Sequence, residues 1–150
     1  MITTALTAAV DVGPDVVWRA ITDPAELIRW DAAALALLEP CLDWPCEGQA
    51  IVWRYRLGSV SLMLRDKPLE IVPGKRLRSS VAFGSFRFEQ IWSLADDAAR
   101  TRVGLSIGAR NALPVVGAEL DRFDVRRLAA EYVDGKLRGL RDWCAAAARD

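Results

Sequence analysis

The chain contains no histidine. Ser-His-Asp triads, Cys-His dyads, His-ligated zinc and imidazole acid–base catalysis are excluded before any fold is considered. Cysteine is scarce, with Cys41, Cys46 and Cys144 the full set. An odd number without repeated spacing is no disulfide framework. No second Cys pair completes a metal site around Cys41 and Cys46, so no metal and no cofactor is expected. The three read as free thiols of a reducing compartment. Long apolar runs are missing too. The longest, Ala32 to Leu38, falls far short of the ~20 residues that span a bilayer. The start, Met1-Ile2-Thr3-Thr4-Ala5, has no basic n-region and no long apolar h-region, so no secretory signal is read. The expectation is a cytoplasmic protein with no integral membrane segment. Excess charge is absent as well: 20 basic side chains balance 20 acidic ones. Nucleic-acid binding rests on counterion release by surplus Lys and Arg, so no nucleic-acid partner is expected. No Gly-rich phosphate loop occurs, and no pair of carboxylates can be assigned to one cleft.

What remains is 150 residues, of which 52% are apolar and 27% charged. That is the size and composition of one globular domain, residues 1–150. Six tryptophans promise large aromatic surfaces.

Residues 2–12 alternate, with Ile2, Thr4, Leu6, Ala8, Val10 and Val12 on one face, as in a strand. Gly13-Pro14 stops it and opens a short helix striped by Val16, Val17, Ala20 and Ile21. Asp23-Pro24-Ala25-Glu26 reads as a capped second helix start, running to about Leu38. Pro40 and Pro45 mark a loop. Alternation then returns. Ile51, Trp53, Tyr55 and Leu57 share a face, then Val60, Leu62 and Leu64. Leu77, Ser79, Val81 and Phe83 follow, then Phe86, Phe88, Gln90, Trp92 and Leu94, and last Val103, Leu105 and Ile107. Gly58-Ser59, Pro73-Gly74, Gly84-Ser85 and Asp96-Asp97 separate these runs, giving an antiparallel meander. After Pro114 the period becomes helical. Val125, Leu128, Ala129, Tyr132, Val133, Leu137, Leu140 and Cys144 form the stripe of a long C-terminal helix.

The order strand, two short helices, meander, long helix resembles the START-like, birch-pollen-allergen-like superfamily, which includes polyketide cyclases and lipid-transfer domains. Three stretches carry the likeness. They are Val12-Gly13-Pro14-Asp15-Val16-Val17-Trp18 with Thr22-Asp23-Pro24, Leu27 and Trp30; Pro73-Gly74-Lys75-Arg76-Leu77; and Phe88-Glu89-Gln90-Ile91-Trp92-Ser93-Leu94 with Thr101-Arg102-Val103. The resemblance covers nearly the whole chain. It implies an α+β helix-grip fold, a curved antiparallel sheet wrapped around the C-terminal helix, with an elongated apolar cavity between them. It does not by itself assign a function.

Trp53, Tyr55, Phe83, Phe86, Phe88 and Trp92 fall on the concave face. They either line a ligand cavity or fill a core. Trp30 and Trp44 flank the rim. Tyr55, Ser79 and Gln90 are polar groups on the same face that need partners, from a ligand or from within the chain. Tyr132 on the C-terminal helix reaches the same space. Asp66 would join them if alternation held, but the adjacent Lys67-Pro68 suggests a bulge or an exposed strand end. A buried Asp66 would have a raised pKa and be a candidate base. Arg54, Arg56, Arg65, Arg78 and Arg87 fall on the opposite, solvated face.

The expected partner is thus a hydrophobic small molecule: a lipid, isoprenoid or polyketide. A polyketide cyclase or dehydratase that works by folding its substrate is the alternative. A protein-interaction module presenting an apolar patch is a further one. The sequence leaves the oligomeric state open.

Overall fold

The computed structural model describes residues 2–84, 86–109 and 122–149. Ser85 of the Gly84-Ser85 turn and the boundary at Pro114 lie outside the described residues, as do the side chains of Ile2 and Val125. Period-two alternation becomes strand throughout: β1 (Ile2–Val10), β3 (Ile51–Leu57), β4 (Val60–Val72), β5 (Arg76–Phe83), β6 (Phe86–Asp97) and β7 (Arg100–Ala109). Two short helices, α1 (Pro14–Thr22) and α2 (Pro24–Trp30), follow β1, and a long one, α3 (Arg122–Arg149), ends the described chain. With β2 (Ala34–Glu39), the strands form a curved antiparallel sheet in the order β1-β7-β6-β5-β4-β3-β2. This is the helix-grip arrangement expected from the sequence.

The second helix is shorter than its sequence predicts. It ends at Trp30 rather than near Leu38, and the Ala- and Leu-rich run beyond it is β2, paired with β3. The cause is local. The Asp31 side chain accepts the Ala33 N–H at 3.2 Å, and the Ala34 N–H bonds back to the Asp31 carbonyl at 3.0 Å. That turn stops the helix, and the free edge of β3 then takes up the run, so pairing overrides helical propensity. Asp23 caps α2 as expected, accepting the Ala25 N–H at 3.0 Å.

Cross-strand register sorts the concave face into rows. Trp53, Leu64, Phe83 and Phe86 form one; Ile51, Asp66, Val81 and Phe88 the next; Pro68, Ser79, Gln90 and Ile107 a third; Leu77, Trp92, Leu105 and Leu6 a fourth. Helix α3 lays Ala129, Tyr132, Val133, Leu137, Leu140 and Cys144, all buried, over these rows. The outer face carries the arginines. Arg65 pairs with Glu39 and Arg78 with Glu70 and Glu89, all at least partly exposed, so they add little stability.

Helix α3 meets α2 at a close approach. A Cβ placed on Gly139 would stand 2.5 Å from the Trp30 carbonyl oxygen, whereas one on Gly135 meets nothing within 4 Å. The two helical glycines should therefore respond oppositely to alanine in urea denaturation. Gly139→Ala should cost about 1–3 kcal/mol through overpacking. Gly135→Ala should gain up to about 1 kcal/mol from helix propensity. Stabilisation by Gly139→Ala would contradict this packing.

A buried polar cluster between sheet and helix

Six elements, α2, α3 and strands β3 to β6, bring polar side chains into an otherwise apolar interior. Asp31 stands at the C-cap of α2, only 2% exposed, and Lys136 descends from α3, only 5% exposed. Their charges meet, with Lys136 Nζ 2.8 Å from Asp31 Oδ2. The Tyr55 hydroxyl, from β3, donates to the same carboxylate at 3.0 Å. With the Ala33 N–H on Oδ1, the Asp31 carboxylate is well supplied with donors. Three aromatic rings surround the ammonium. Nζ lies 5.6 Å from the Trp30 ring, 5.2 Å from Tyr55 and 5.3 Å from Tyr132. Cation–π attraction of this kind strengthens where water is excluded. Burial, and then the Asp31 charge beside it, pushes the Tyr55 phenol well above its ordinary range.

A second group lies across the sheet. Asp66, Ser79 and Gln90 occupy successive strands β4, β5 and β6. Ser79 is directly opposite Gln90, and Asp66 is diagonal to Ser79. Diagonal neighbours on one sheet face are within side-chain reach. The Tyr132 hydroxyl donates to Gln90 Oε1, tying this stripe to α3. Burial, then the Asp66 and Asp31 charges, raises the Tyr132 phenol as well.

Asp66 is therefore neither in a bulge nor at an exposed strand end, as Lys67-Pro68 suggested. The β4–β5 irregularity falls one step later, between Pro68 and Glu70, and alternation carries Asp66 inward. Burial raises its pKa to about 6, with Ser79 and then Lys136 pulling the other way. Asp66 Oδ1 and Ser79 Oγ nevertheless lack any hydrogen-bond partner of good geometry. The serine is near enough to favour the carboxylate but does not satisfy it.

The ten residues expected at the site all lie on the interior side. Trp53, Tyr55, Ser79, Phe83, Phe88, Gln90, Trp92 and Tyr132 are buried, and Phe86 is half-buried. Trp30 is buried too, but its indole N–H is committed to the Ala20 carbonyl at 2.8 Å, and its ring meets Trp92 edge-on at 6.3 Å. It joins α1, α2 and the sheet and forms one wall around Lys136. Phe88 lies edge-on to Tyr132 at 5.2 Å, and Tyr55 edge-on to Phe83 at 6.4 Å. Trp44, in the loop between β2 and β3, is buried with its indole N–H unpartnered. An open cleft of about 280 Å³ lies beside the Asp31–Tyr55 cluster, its lining including Asp31, Tyr55, Leu57, Glu131 and Tyr132.

Asp31 and Lys136 were not recognisable as site residues by alternation. Asp31 sits in what reads as a continuing helix. Lys136 offers one signal: it stands four residues after Tyr132, four before Leu140 and within the apolar stripe. A charge there calls for a buried partner.

Among the described residues no cluster of His, Cys, Asp and Glu could hold a metal ion, and no helix is long and apolar enough to cross a membrane.

A family model described as "Polyketide cyclase / dehydrase and lipid transport" matches residues 1–145. Comparison with curated proteins gives no significant match. Among solved structures, a START superfamily protein from Mycobacterium smegmatis aligns with a TM-score of 0.77 at 14% identity, covering 98% of this chain and 99% of that one. TTHA0849 from Thermus thermophilus aligns at 0.74 and 22% identity, covering 97% and 98%. DynU16, from the dynemicin biosynthetic locus, aligns at 0.70 and 18% identity, covering 95% of this chain and 47% of its own. The chain thus spans about half of DynU16. At these identities the likeness is one of fold.

Two measurements check the electrostatics. Replacing Lys136 with Met strands Asp31 without its counterion and should cost about 3–5 kcal/mol, whereas the Lys136→Met/Asp31→Asn double variant should recover most of that loss. Equal destabilisation in both would mean that the pair is not coupled. Asp66 carries the opposite signature. Its pKa is about 6 in the native chain against an ordinary 3.8, so between those values the native state holds more protons than the unfolded one. Stability should fall as pH rises through that window, by up to about 3 kcal/mol in all. Asp66→Asn should therefore be the more stable protein in denaturant melts at pH 8, and the advantage should vanish by pH 4. A constant difference across that range would contradict the assignment.

Proposed function

The chain belongs to the polyketide cyclase/dehydrase and lipid-transport family, and from that premise we propose that it binds a hydrophobic small molecule between the sheet and α3. One observation carries the reading. The concave wall of Trp53, Phe83, Phe88 and Trp92 is aromatic, yet it is crossed by polar groups that are not all satisfied within the chain. Apolar walls with a few placed polar groups are the usual make-up of a small-molecule site. A core built only for packing gains nothing from an unsatisfied carboxylate, which costs stability. The cleft over Asp31, Tyr55 and Tyr132 offers a way in.

A second reading, a cyclase or dehydratase, is favoured by a separate observation. Tyr55, Gln90 and Asp66 belong to one interior cluster, linked through Tyr132 and Lys136. Asp66, ionising near pH 6, has the poise of a general base. A bound chain folded against it would react chiefly through proximity.

Native mass spectrometry of freshly purified protein tests the first reading. A co-purifying apolar ligand is expected, with occupancy reduced several-fold in Phe88→Ala or Trp92→Ala variants shown to be folded by circular dichroism. Unchanged occupancy in both would place the ligand elsewhere. A ligand released unaltered after incubation supports a carrier, and one that is dehydrated or cyclised supports the enzyme.

A further inference from the structure

Asp31 and Asp66 are the two buried carboxylates named above, and the chain treats them differently. Asp31 accepts from Lys136, Tyr55 and the Ala33 backbone. Asp66 is 9% exposed and Ser79 1%; the serine is close enough to favour the carboxylate, yet neither Asp66 Oδ1 nor Ser79 Oγ has a hydrogen-bond partner of good geometry. They are neighbours across β4 and β5. Buried polar groups nearly always find partners, so two adjacent orphans in one interior point to a partner that is not part of the chain.

The chemistry of the orphans defines that partner. An ionised carboxylate oxygen only accepts hydrogen bonds, whereas a serine hydroxyl both donates and accepts. A ligand hydroxyl satisfies both at once, donating to Asp66 Oδ1 and accepting from Ser79 Oγ. A ketone or ether oxygen would leave the carboxylate unsatisfied. The groups facing Asp66 sustain this polarity. Ile51 and Val81 beside it are apolar, Ser79 and Tyr132 are neutral, and Lys136, with Asp31 behind it, favours the anion. Gln90 Oε1 is engaged by the Tyr132 hydroxyl. The flanking surfaces are rings: Phe88 lies in Asp66's own row and Phe83 in the adjacent one.

We infer that Asp66 and Ser79 form the polar seat of the interior site, and that the ligand it takes is ring-bearing with a free phenolic or enolic hydroxyl. The inference rests on the proposed binding of a hydrophobic molecule between sheet and helix, and it adds which end of that molecule is held, and by what.

The test compares two probes of one ring system, 2-naphthol and 2-methoxynaphthalene, which differ in whether the oxygen can donate. Binding is measured by calorimetry at pH 8, where Asp66 is ionised. The native chain should prefer 2-naphthol by about tenfold or more, the range of a hydrogen bond to a charged group. Asp66→Leu should abolish the preference and Ser79→Ala should reduce it several-fold. Should Asp66→Leu fail to fold, Asp66→Asn keeps the shape and should cut the preference to a few-fold, because its acceptor is uncharged. Equal affinity of the native chain for both probes would overturn the seat while leaving hydrophobic binding intact. So would a preference that survives in both the Asp66 and the Ser79 variants. Binding of neither probe would overturn the seat together with the reading it rests on.

Discussion

A lysine ammonium and an aspartate carboxylate, 2.8 Å apart and almost wholly buried, fix how this molecule is assembled. Neither charge tolerates that burial alone. Lys136 belongs to α3 and Asp31 to the end of α2, while Tyr55, which shares the carboxylate, belongs to β3. Helix, helix end and sheet must therefore arrive together, in one register, for any of the three side chains to be satisfied. A buried ion pair adds little net stability over an apolar equivalent, but it penalises every misplaced alternative. The close approach of Gly139 to Trp30 reinforces the same junction sterically. The aromatic rings around the ammonium complete it, so the end of the grip nearest α2 is tightly specified.

That specification has a consequence across the sheet. With Asp31 fully engaged, the second interior carboxylate, Asp66, has Lys136 only as a distant influence and Ser79 as an imperfect neighbour. One acid is built into the frame and the other is left with capacity to spare. Divergent environments for two carboxylates in one interior are the pattern by which structural and functional roles separate. The cost in stability of an unsatisfied Asp66 is the sort that is retained where a site needs it. On the proposed binding, carrier and catalyst would differ less in architecture than in what the bound molecule does once it meets that carboxylate.

Most of the fold was legible because it rests on periodicity. Alternation along Ile51 to Ile107 placed the buried apolar residues from Ile51 and Leu64 to Ile107 on the correct face, and the three-and-four spacing of Ala129, Tyr132, Val133, Leu137, Leu140 and Cys144 placed α3. The run Ala34 to Glu39 was not legible, because Ala and Leu favour helix locally and only the open edge of β3 makes them a strand. Of the candidate site, the aromatic wall, Tyr55, Ser79 and Gln90 followed from the same alternation, and Tyr132 from the helical spacing. Asp66 was discounted because Lys67-Pro68 imitates a strand end, while Pro68 is in fact fully buried in mid-strand. Asp31 and Lys136 were hidden for a deeper reason. They lie 105 residues apart in sequence, and their pairing is a product of the tertiary fold. No local pattern records it.

The central claim is that Asp66 is a buried carboxylate held ready for a ligand donor. Carboxyl ¹³C NMR titration of the aspartate-labelled protein, free and with 2-naphthol, tests it most directly. One aspartate should titrate with a midpoint of about 6 in the free protein, a signal lost in Asp66→Asn. That midpoint should move downwards when the naphthol binds, because a donated hydrogen bond favours the charged form. A midpoint in the ordinary carboxylate range, or one that bound naphthol leaves in place, would mean that Asp66 is not held for a ligand donor.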